Sequence, residues 1–220
     1  MEALKALVIE IKFQEALFKT HYTKGFRLTY PIPLPTSVAG VFGALLGLDR
    51  FNLLRYFNNA FFGAKLLSYE SFFQETTTYI QYKNRKMVRG ATITNIINSP
   101  KYLMCLVSDE EKIEKIKEKL SNGIEFSPYG GQNDFFFEDL RFLGIKNVDK
   151  SFIVENYAPQ DLVEKIEFRK NTDLQILPVK HKFSKNPNFY FVFNGGLKLK
   201  EEILSVDGVA VFPLDKFYYL

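Results

Sequence analysis

Four short segments of the sequence carry side chains that could contact a polyanion and flat aromatic rings. The first segment, Gln14–Tyr30, is polar, aromatic and basic, and its candidate contact residues are Lys19, His21, Lys24 and Arg27. Lysine and arginine neutralise phosphates and release condensed counterions, which supplies much of the affinity of proteins for nucleic acids. The alternative is a solvated loop that leads into an ordinary helix, and residue types alone do not separate the two.

A predicted helix start follows directly. The prolines of Pro31–Pro35 force an extended backbone, and Thr36 or Ser37 is then predicted to cap a helix. One face of that helix is predicted to carry Val38, Val41, Phe42, Leu45 and Leu46. Free backbone N–H groups and the partial positive charge at a helix start suit an anion, so Thr36 and Ser37 are candidate binding residues.

The second segment lies at the tip of a predicted hairpin. Leu66–Ile97 is rich in β-branched and aromatic residues on both sides of the polar turn Lys83–Lys86, which predicts a long β-hairpin with a basic tip. The candidate contact residues at the tip are Tyr82, Lys83, Arg85, Lys86 and Arg89. Cations bind phosphates and tyrosine rings stack on unpaired bases. Protection of a sheet edge by charge is the alternative.

The third and fourth segments lie further along the chain. In the loop Ser127–Asn133, Gly130 and Gly131 permit positive φ and close backbone approach to a ligand. The amides of Gln132 and Asn133 can contact base edges or sugars. No Gly-Lys-Ser/Thr follows, so the loop is not a P-loop. The basic stretch Lys180–Lys185 either extends an RNA track or is a solvated loop.

Few residues are available for catalysis. The chain has only two histidines and one cysteine, which argues against zinc and Cys–His sites. Paired carboxylates for two metals are not evident, so no metal or cofactor is predicted. Cleavage of RNA without a metal needs a base for the 2′-hydroxyl and an acid for the leaving oxygen. The candidates for that alternative are His21, Tyr22, Lys24 and His181.

Composition indicates a folded protein with a mild positive charge. Hydrophobic residues make up 46% of the 220 residues, the net charge is +4 and the pI is about 8.9. A nucleic-acid partner is permitted by this charge, because its distribution matters more than its sum. No apolar run approaches the length needed to span a bilayer, so a cytoplasmic protein without membrane contact is expected.

The order of predicted elements favours an α+β fold. A strand at Ala3–Phe13 precedes the first helix, and the hairpin is followed by a buried strand at Tyr102–Val107, a helix at Asp109–Leu120 and a strand at Phe135–Phe142. This order is typical of a ferredoxin-like (RRM-like) βαββαβ unit. A domain over 1–148 with the hairpin at about 66–97, and a β-rich C-terminal extension over 149–220, are expected.

Two motifs resemble the Cas-five family of CRISPR-associated RAMP proteins. Tyr30–Gly47, with the sequence YPIPLPTSVAGVFGALLG, resembles the family's segment between the first strand and the first helix, and Tyr129–Asp134 resembles its glycine loop. The resemblance implies a RAMP subunit that caps the backbone filament of a type I Cascade complex in antiviral defence. It implies binding of the 5′ handle of crRNA, partly under a thumb-like hairpin, and contacts with the backbone and large subunits.

The same resemblance implies roles for particular positions. Lys83–Arg89 would form the thumb tip, while Thr36, Ser37 and Gly130–Asn133 would lie near the handle. One branch of the family also cuts pre-crRNA with a tyrosine, a lysine and a histidine, and Lys180-His181 has the right residue types in an unmatched context. A non-catalytic RNA-binding subunit is the favoured hypothesis, and a metal-independent endoribonuclease that processes pre-crRNA is the alternative.

Overall fold

A computed structural model describes residues 4–23, 25–132 and 134–218 of the chain. Two of the candidate site residues, Lys24 and Asn133, and the first residue of the first predicted strand, Ala3, lie outside the described residues. The α-helices are α1 (Pro35–Leu45), α2 (Arg50–Tyr56) and α3 (Glu110–Asn122). The strands of the first two thirds of the chain are β1 (Lys5–Phe13), β2 (Glu15–Ala16), β3 (Phe18–Lys19), β4 (Phe26–Arg27), β5 (Thr29–Tyr30), β6 (Phe61–Ser68), β7 (Ser71–Lys83), β8 (Lys86–Asn98), β9 (Lys101–Ser108) and β10 (Phe137–Asn147). The remaining strands are β11 (Asp149–Val154), β12 (Tyr157–Pro159), β13 (Val163–Glu167), β14 (Asp173–Pro178), β15 (Asn188–Phe193), β16 (Gly196–Val206), β17 (Val209–Ala210) and β18 (Phe212–Pro213).

The central sheet has the strand order β10-β1-β9-β6-β18, and its neighbouring strands are antiparallel. Its first four strands, with α1 between β1 and β6 and α3 between β9 and β10, form the ferredoxin-like arrangement. The predicted α+β, ferredoxin-like fold is therefore confirmed. Strand β18, from the end of the chain, extends this sheet at the edge of β6.

Strand β1 is buried on both faces. Leu7, Ile9 and Ile11 belong to the main core, whereas Ala6 and Val8 pack into a smaller cluster on the opposite face. Successive side chains of a strand point to opposite faces, so a nearly continuous apolar run is what a doubly covered strand requires. The second cluster also buries Cys105, and burial raises the pKa of this thiol far above its ordinary value, as expected for a structural cysteine.

Helix α1 begins two to three residues earlier than predicted and without a side-chain cap. Leu34 is the N-cap residue, Pro35 is the first helical residue, and no side-chain hydrogen bond caps the helix start. The prediction that Thr36 or Ser37 caps α1 is therefore wrong: proline at the first helical position favours an earlier helix start, and the N-cap residue, Leu34, has no side-chain acceptor. Asp109 caps α3 by accepting a hydrogen bond from the Lys112 N–H.

The predicted hairpin is formed by β7 and β8 and is called the arm (Ser71–Asn98). Asn84 and Arg85 have φ of 50° and 61°, which closes the strands with a two-residue turn of the kind that matches strand twist. The arm starts later than predicted, because Leu66 belongs to β6 and pairs with β9 in the central sheet. Strand β8 pairs with β2 at its root and with β4 up to Ile93.

The C-terminal strands form two further small sheets, with orders β11-β16-β13 and β12-β15-β14. Their inner faces join the main core, where the rings of Tyr157 and Phe212 stack with centroids 5.9 Å apart. Among the described residues, no single helix has the length and apolar character to cross a membrane, while α1 and α2 pass such a test together but are bent by 101°.

Candidate nucleic-acid interface

One large cleft opens beside helix α1. It has a volume of about 800 Å³ and is enclosed by three parts of the chain that are distant in sequence. Residues 18–21 and the first turns of α1 form one side, the loop Phe126–Gly131 forms another, and Lys180 and Tyr218 close the third. The fold therefore brings together side chains from the first, third and fourth basic or glycine-rich segments of the sequence.

Several predicted site residues lie in this cleft and others do not. Those that line it are Lys19, His21, Thr36, Ser37 and Gly131. Arg27 does not belong to the lining: it is half-buried in β4, where it pairs with Thr94 of the arm. Gln132 is half-buried at the end of the glycine loop and is not part of the lining either. The first segment thus divides between the cleft and the root of the arm.

His21 is held in place by the hydroxyl of Tyr30. The distance from His21 Nδ1 to Tyr30 Oη is 2.9 Å, and Tyr30 Oη donates to the carbonyl of Pro178 at 2.8 Å. Burial, together with the nearby positive charge of Lys180, lowers the pKa of His21. The lowered pKa favours the neutral form of His21.

Besides Tyr30, the ionisable neighbours of His21 include Tyr22 and Lys180. The rings of His21 and Tyr22 meet edge to face with centroids 5.6 Å apart. Burial raises the pKa of Tyr22, although a hydrogen bond with Thr20 acts in the opposite direction. Lys180 is exposed and borders the cleft. His21 and Lys180 thus both border the cleft, and the Tyr22 ring packs against His21.

The glycine pair has a structural purpose that the sequence did not reveal. A Cβ on Gly130 would lie 2.5 Å from the carbonyl oxygen of Glu15, and one on Gly131 would collide with the carbonyl oxygen of Leu17. Gly131 also has a φ of 88°. The two glycines permit close approach to the chain's own backbone, where the Leu17 N–H donates to the Gly130 carbonyl at 2.7 Å. The loop is thereby fixed as a wall of the cleft.

The start of α1 offers fewer free N–H groups than predicted. The N–H groups of Ser37 and Val38 both donate to the Leu34 carbonyl, at 2.9 Å and 3.0 Å, and Pro35 has no N–H. The expectation of several free donors for an anion at this helix start is therefore wrong. The side chains of Thr36 and Ser37 border the cleft and remain candidates for polar contacts.

Gly40 forms part of the helix wall of the cleft. It is exposed, and a Cβ built on it would meet none of the described atoms within 4 Å. Gly43, one turn later, differs because a Cβ there would collide with Leu53. Packing therefore explains Gly43 but not Gly40, although each glycine inside a helix costs about 1 kcal/mol relative to alanine.

Sequence reasoning missed the aromatic residues of the cleft. Phe126, Tyr129 and Tyr218 are exposed and line it, and the Lys182 ammonium lies 5.3 Å from the centre of the Tyr218 ring. In proteins that bind single-stranded nucleic acid, unpaired bases stack on exposed aromatic rings and nearby cations bind the phosphates. The signal available in sequence was the aromatic content next to the glycine pair, at Phe126 and Tyr129.

The arm cations lie apart from the cleft. Lys83, Arg85, Lys86 and Arg89 are exposed, as is Tyr82, and none of them lines the cleft. With about 3.4 Å per residue, the seven residues of β8 beyond Ile93, 86–92, extend roughly 24 Å past the last contact with β4. The root of the arm and the glycine loop are nevertheless neighbours, since β8 pairs with Glu15 and Ala16 and the loop packs on the same segment.

The two faces of the arm differ in chemistry. Cross-strand partners share a face, so Lys83 and Lys86 lie together on one face, with Tyr79 two pairs further along. Tyr79 lies over Gly90, since a Cβ on Gly90 would be 2.5 Å from the Tyr79 Cζ. The opposite face carries Tyr82, Met87 and Arg89. The first face therefore has two lysines at its tip, whereas the second carries one arginine among apolar and aromatic side chains.

His181 is a structural histidine. It is buried, its Nδ1 accepts a hydrogen bond from the Phe183 N–H at 3.1 Å, and its ring meets that of Phe189 with centroids 4.9 Å apart. Burial lowers its pKa. The interpretation of His181 as a catalytic candidate is therefore wrong, because its ring packs among aromatic side chains and does not border the cleft. Within residues 4–23, 25–132 and 134–218, no group of three or more His, Cys, Asp or Glu side chains could hold a metal.

Comparison with solved structures relates the chain to CRISPR-associated proteins. No family model and no curated protein matches the sequence. The fold is similar to that of a chain from a CRISPR RNA-guided surveillance complex, with a TM-score of 0.51 and 13% identity over 97% of this chain and 93% of that one. A Cas protein (TM-score 0.45, 16% identity, 89% and 95% covered) and a CRISPR protein from Archaeoglobus fulgidus (TM-score 0.47, 12% identity, 95% and 99% covered) also match. The chain thus has a fold found among CRISPR-associated proteins.

Proposed function

We propose that this chain is a non-catalytic RNA-binding subunit of a type I CRISPR Cascade complex, in which it holds the 5′ handle of crRNA. In this proposal the cleft binds nucleotides of the single-stranded handle, and the face of the arm that carries Lys83 and Lys86 binds adjacent phosphates. The chain caps the backbone filament and contacts the backbone and large subunits, in the cytoplasm. The fold shared with a chain of an RNA-guided complex supports this assignment.

The observation that carries the proposal is the composition of the cleft. Cations from two distant parts of the chain, Lys19 and Lys180, border the same space as the exposed rings of Phe126 and Tyr129. Proteins that bind single-stranded nucleic acid combine a positive groove along the backbone with rings on which bases stack. RNA handles offer both features, because their bases are unpaired and their phosphates accessible.

The experiment measures the binding of a labelled handle RNA as a function of salt concentration. For single strands the slope of log K against log salt is about −0.7 per neutralised phosphate. Lys19→Ala with Lys180→Ala should therefore reduce the slope by up to about 1.4. Lys165→Ala with Lys170→Ala removes two exposed cations that do not line the cleft and is the matched control. Equal effects of both pairs, or wild-type binding that does not depend on salt, would contradict the proposal.

A second candidate function is metal-independent cleavage of pre-crRNA. It is favoured by the position of His21, whose neutral ring borders the cleft beside Lys180 and Tyr22. In this reaction an imidazole nitrogen takes the 2′-hydroxyl proton, O2′ attacks the adjacent phosphorus, and the 5′-oxygen leaves with a proton from Lys180 or Tyr22. The products are a 2′,3′-cyclic phosphate and a 5′-hydroxyl.

Incubation of purified protein with repeat RNA in EDTA separates the two functions. Specific cleavage that yields a cyclic phosphate, and that is lost in His21→Ala but retained in His181→Gln, would establish the enzyme. Intact RNA that remains bound in a salt-dependent manner is expected for the non-catalytic subunit.

A further inference from the structure

The hydrogen bonds around Tyr30 determine which nitrogen of His21 carries the proton. The Tyr30 hydroxyl has one proton, and it contacts the Pro178 carbonyl at 2.8 Å and His21 Nδ1 at 2.9 Å, while the backbone N–H of His21 also donates to its oxygen. A carbonyl oxygen only accepts, so the hydroxyl proton must point at Pro178. The Tyr30 oxygen can then only accept from His21, which places the imidazole proton on Nδ1.

The other ring nitrogen is consequently a bare acceptor. In a neutral imidazole with its proton on Nδ1, Nε2 carries a lone pair. The ring borders the cleft, and no hydrogen bond from a described residue reaches Nε2. Burial and the charge of Lys180 lower the pKa of His21 and so maintain this neutral form.

Tyr30 is rigid enough to impose this arrangement. It is 2% exposed, and its ring stacks on that of Phe191 with centroids 5.6 Å apart. Burial also raises the pKa of its hydroxyl far above the ordinary value, so the hydroxyl keeps its proton. Tyr30 is therefore a positioning residue for the His21 ring.

We propose that His21 Nε2 accepts a hydrogen bond from a donor group of the bound RNA and thereby gives the cleft its ligand specificity. Phosphate oxygens are acceptors and cannot satisfy this nitrogen. RNA offers two classes of donor, the ribose 2′-hydroxyl and the amino groups of bases. The inference rests on the proposed function. In it, Lys19 and Lys180 bind phosphates, while His21 contacts a ribose or a base.

The test compares three labelled ten-nucleotide single strands bound by the full chain. They are oligo(A) RNA, oligo(A) DNA, and an RNA in which purine riboside, which lacks the 6-amino group, replaces adenosine. Weaker binding of the DNA than of oligo(A) RNA identifies the 2′-hydroxyl as the donor. Weaker binding of the purine riboside RNA than of oligo(A) RNA identifies the 6-amino group as the donor. A hydrogen bond between neutral groups predicts a preference of roughly three- to tenfold for the probe that carries the donor.

Three variants decide the outcome. His21→Phe keeps a ring next to Tyr22 but removes Nε2, so the preference should fall to within about twofold while affinity for the probe without the donor stays unchanged. Tyr30→Phe keeps the stacked ring but frees the tautomer, so the preference should fall partly. Lys180→Ala should weaken binding of every probe and leave the preference intact. Circular dichroism and thermal unfolding establish that each variant is folded.

Two results would overturn the inference, and a third concerns the proposed function. The first is an unchanged preference between probes in folded His21→Phe, and the second is an equal loss of affinity for all three probes in this variant. Either would show that Nε2 does not accept a hydrogen bond from the RNA, even though the protein binds RNA. A wild-type protein that binds no probe in a salt-dependent way would refute the RNA-binding function itself, and the inference with it.

Discussion

The cleft and the arm both carry cations and aromatic rings, but the chain builds them in opposite ways. The cleft is enclosed by segments that pack on the main core: its glycine loop is locked against Glu15–Leu17, and α1 buries Val38 and Phe42. The arm beyond Ile93 is a ladder of two strands whose tip residues are exposed. One surface is preformed and the other projects from the body.

This difference assigns different tasks to the two regions. Isolated two-stranded hairpins are marginally stable in water, and side chains that become ordered on binding lose conformational entropy. The arm should therefore contribute salt-dependent attraction to phosphates more than discrimination between ligands. The cleft, whose groups are held by packing and hydrogen bonds before a ligand arrives, is the place for specificity.

The largest expected effect comes from a substitution in the glycine loop, which forms a wall of the cleft. Gly131→Ala introduces a Cβ at a φ of 88° that would collide with the Leu17 carbonyl oxygen, so we expect a loss of about 3 kcal/mol in the free energy of unfolding. Urea denaturation measures this loss. Gly123→Ala is the matched control, because its φ is also positive, at 123°, but a Cβ there would meet none of the described atoms. An equal loss in both variants would mean that the contact with Leu17 is unimportant.

The next largest effect concerns binding by the arm. Lys83, Arg85 and Lys86 are exposed, so replacing all three by alanine should leave unfolding unchanged. Affinity for handle RNA should fall roughly 10- to 100-fold and the salt slope by up to about 2. Fluorescence anisotropy at several salt concentrations measures both quantities.

The control for the arm variant removes the same charge elsewhere. Lys150, Lys165 and Lys170 are exposed cations of the C-terminal β-structure, and their replacement by alanine changes the net charge equally. A similar loss of affinity in this control would show that the arm acts only through net charge. A loss of RNA-over-DNA preference in the arm variant would show that discrimination is not confined to the cleft.

The local parts of both regions could be predicted from the sequence. The hairpin follows from β-branched and aromatic runs around a polar turn, and Asn84 and Arg85 adopt the positive φ of such a turn. The helix that lines the cleft follows from the proline run and the apolar spacing after it. These signals depend on neighbouring residues, and the ferredoxin-like order could be assembled from them.

The assembly of the cleft could not be predicted, because it depends on packing between distant segments. Lys180 and Tyr218 reach the cleft only through the way the C-terminal β-structure packs on the core. The same packing buries His181, which borders Lys180 in sequence but has a different environment. Residue types also could not reveal that Gly130 and Gly131 pack directly against the backbone of Glu15–Leu17, where a Cβ would collide.

A smaller effect sharpens the role of the helix wall. Gly40→Ala should stabilise the fold by about 0.5–1 kcal/mol, because alanine is the better helix former and the added Cβ meets open space. The same Cβ projects into the cleft, so affinity for handle RNA should fall a few-fold. Opposite changes in thermal stability and in affinity are the expected signature. A variant that gains stability and keeps its affinity would show that the ligand does not approach this face of α1.

The smallest effect is the dependence of stability on pH, and it separates the cleft from the arm because the arm contains no histidine. Burial lowers the pKa of both His21 and His181 below the ordinary value of 6.5, so the unfolded chain takes up protons first as the pH falls. Stability should therefore be full above about pH 6.5 and decline below it.

Thermal unfolding between pH 7.5 and 5.5 measures the decline, in a range above the ordinary carboxylate pKa values. His21→Phe should reduce the decline and leave the share of His181, whereas the triple alanine variant of the arm should follow the wild-type curve. A His21→Phe curve identical to that of the wild type would mean that His21 has the same pKa in the folded and in the unfolded protein. The electrostatic support for a neutral His21 with Nε2 as an acceptor would then be lost.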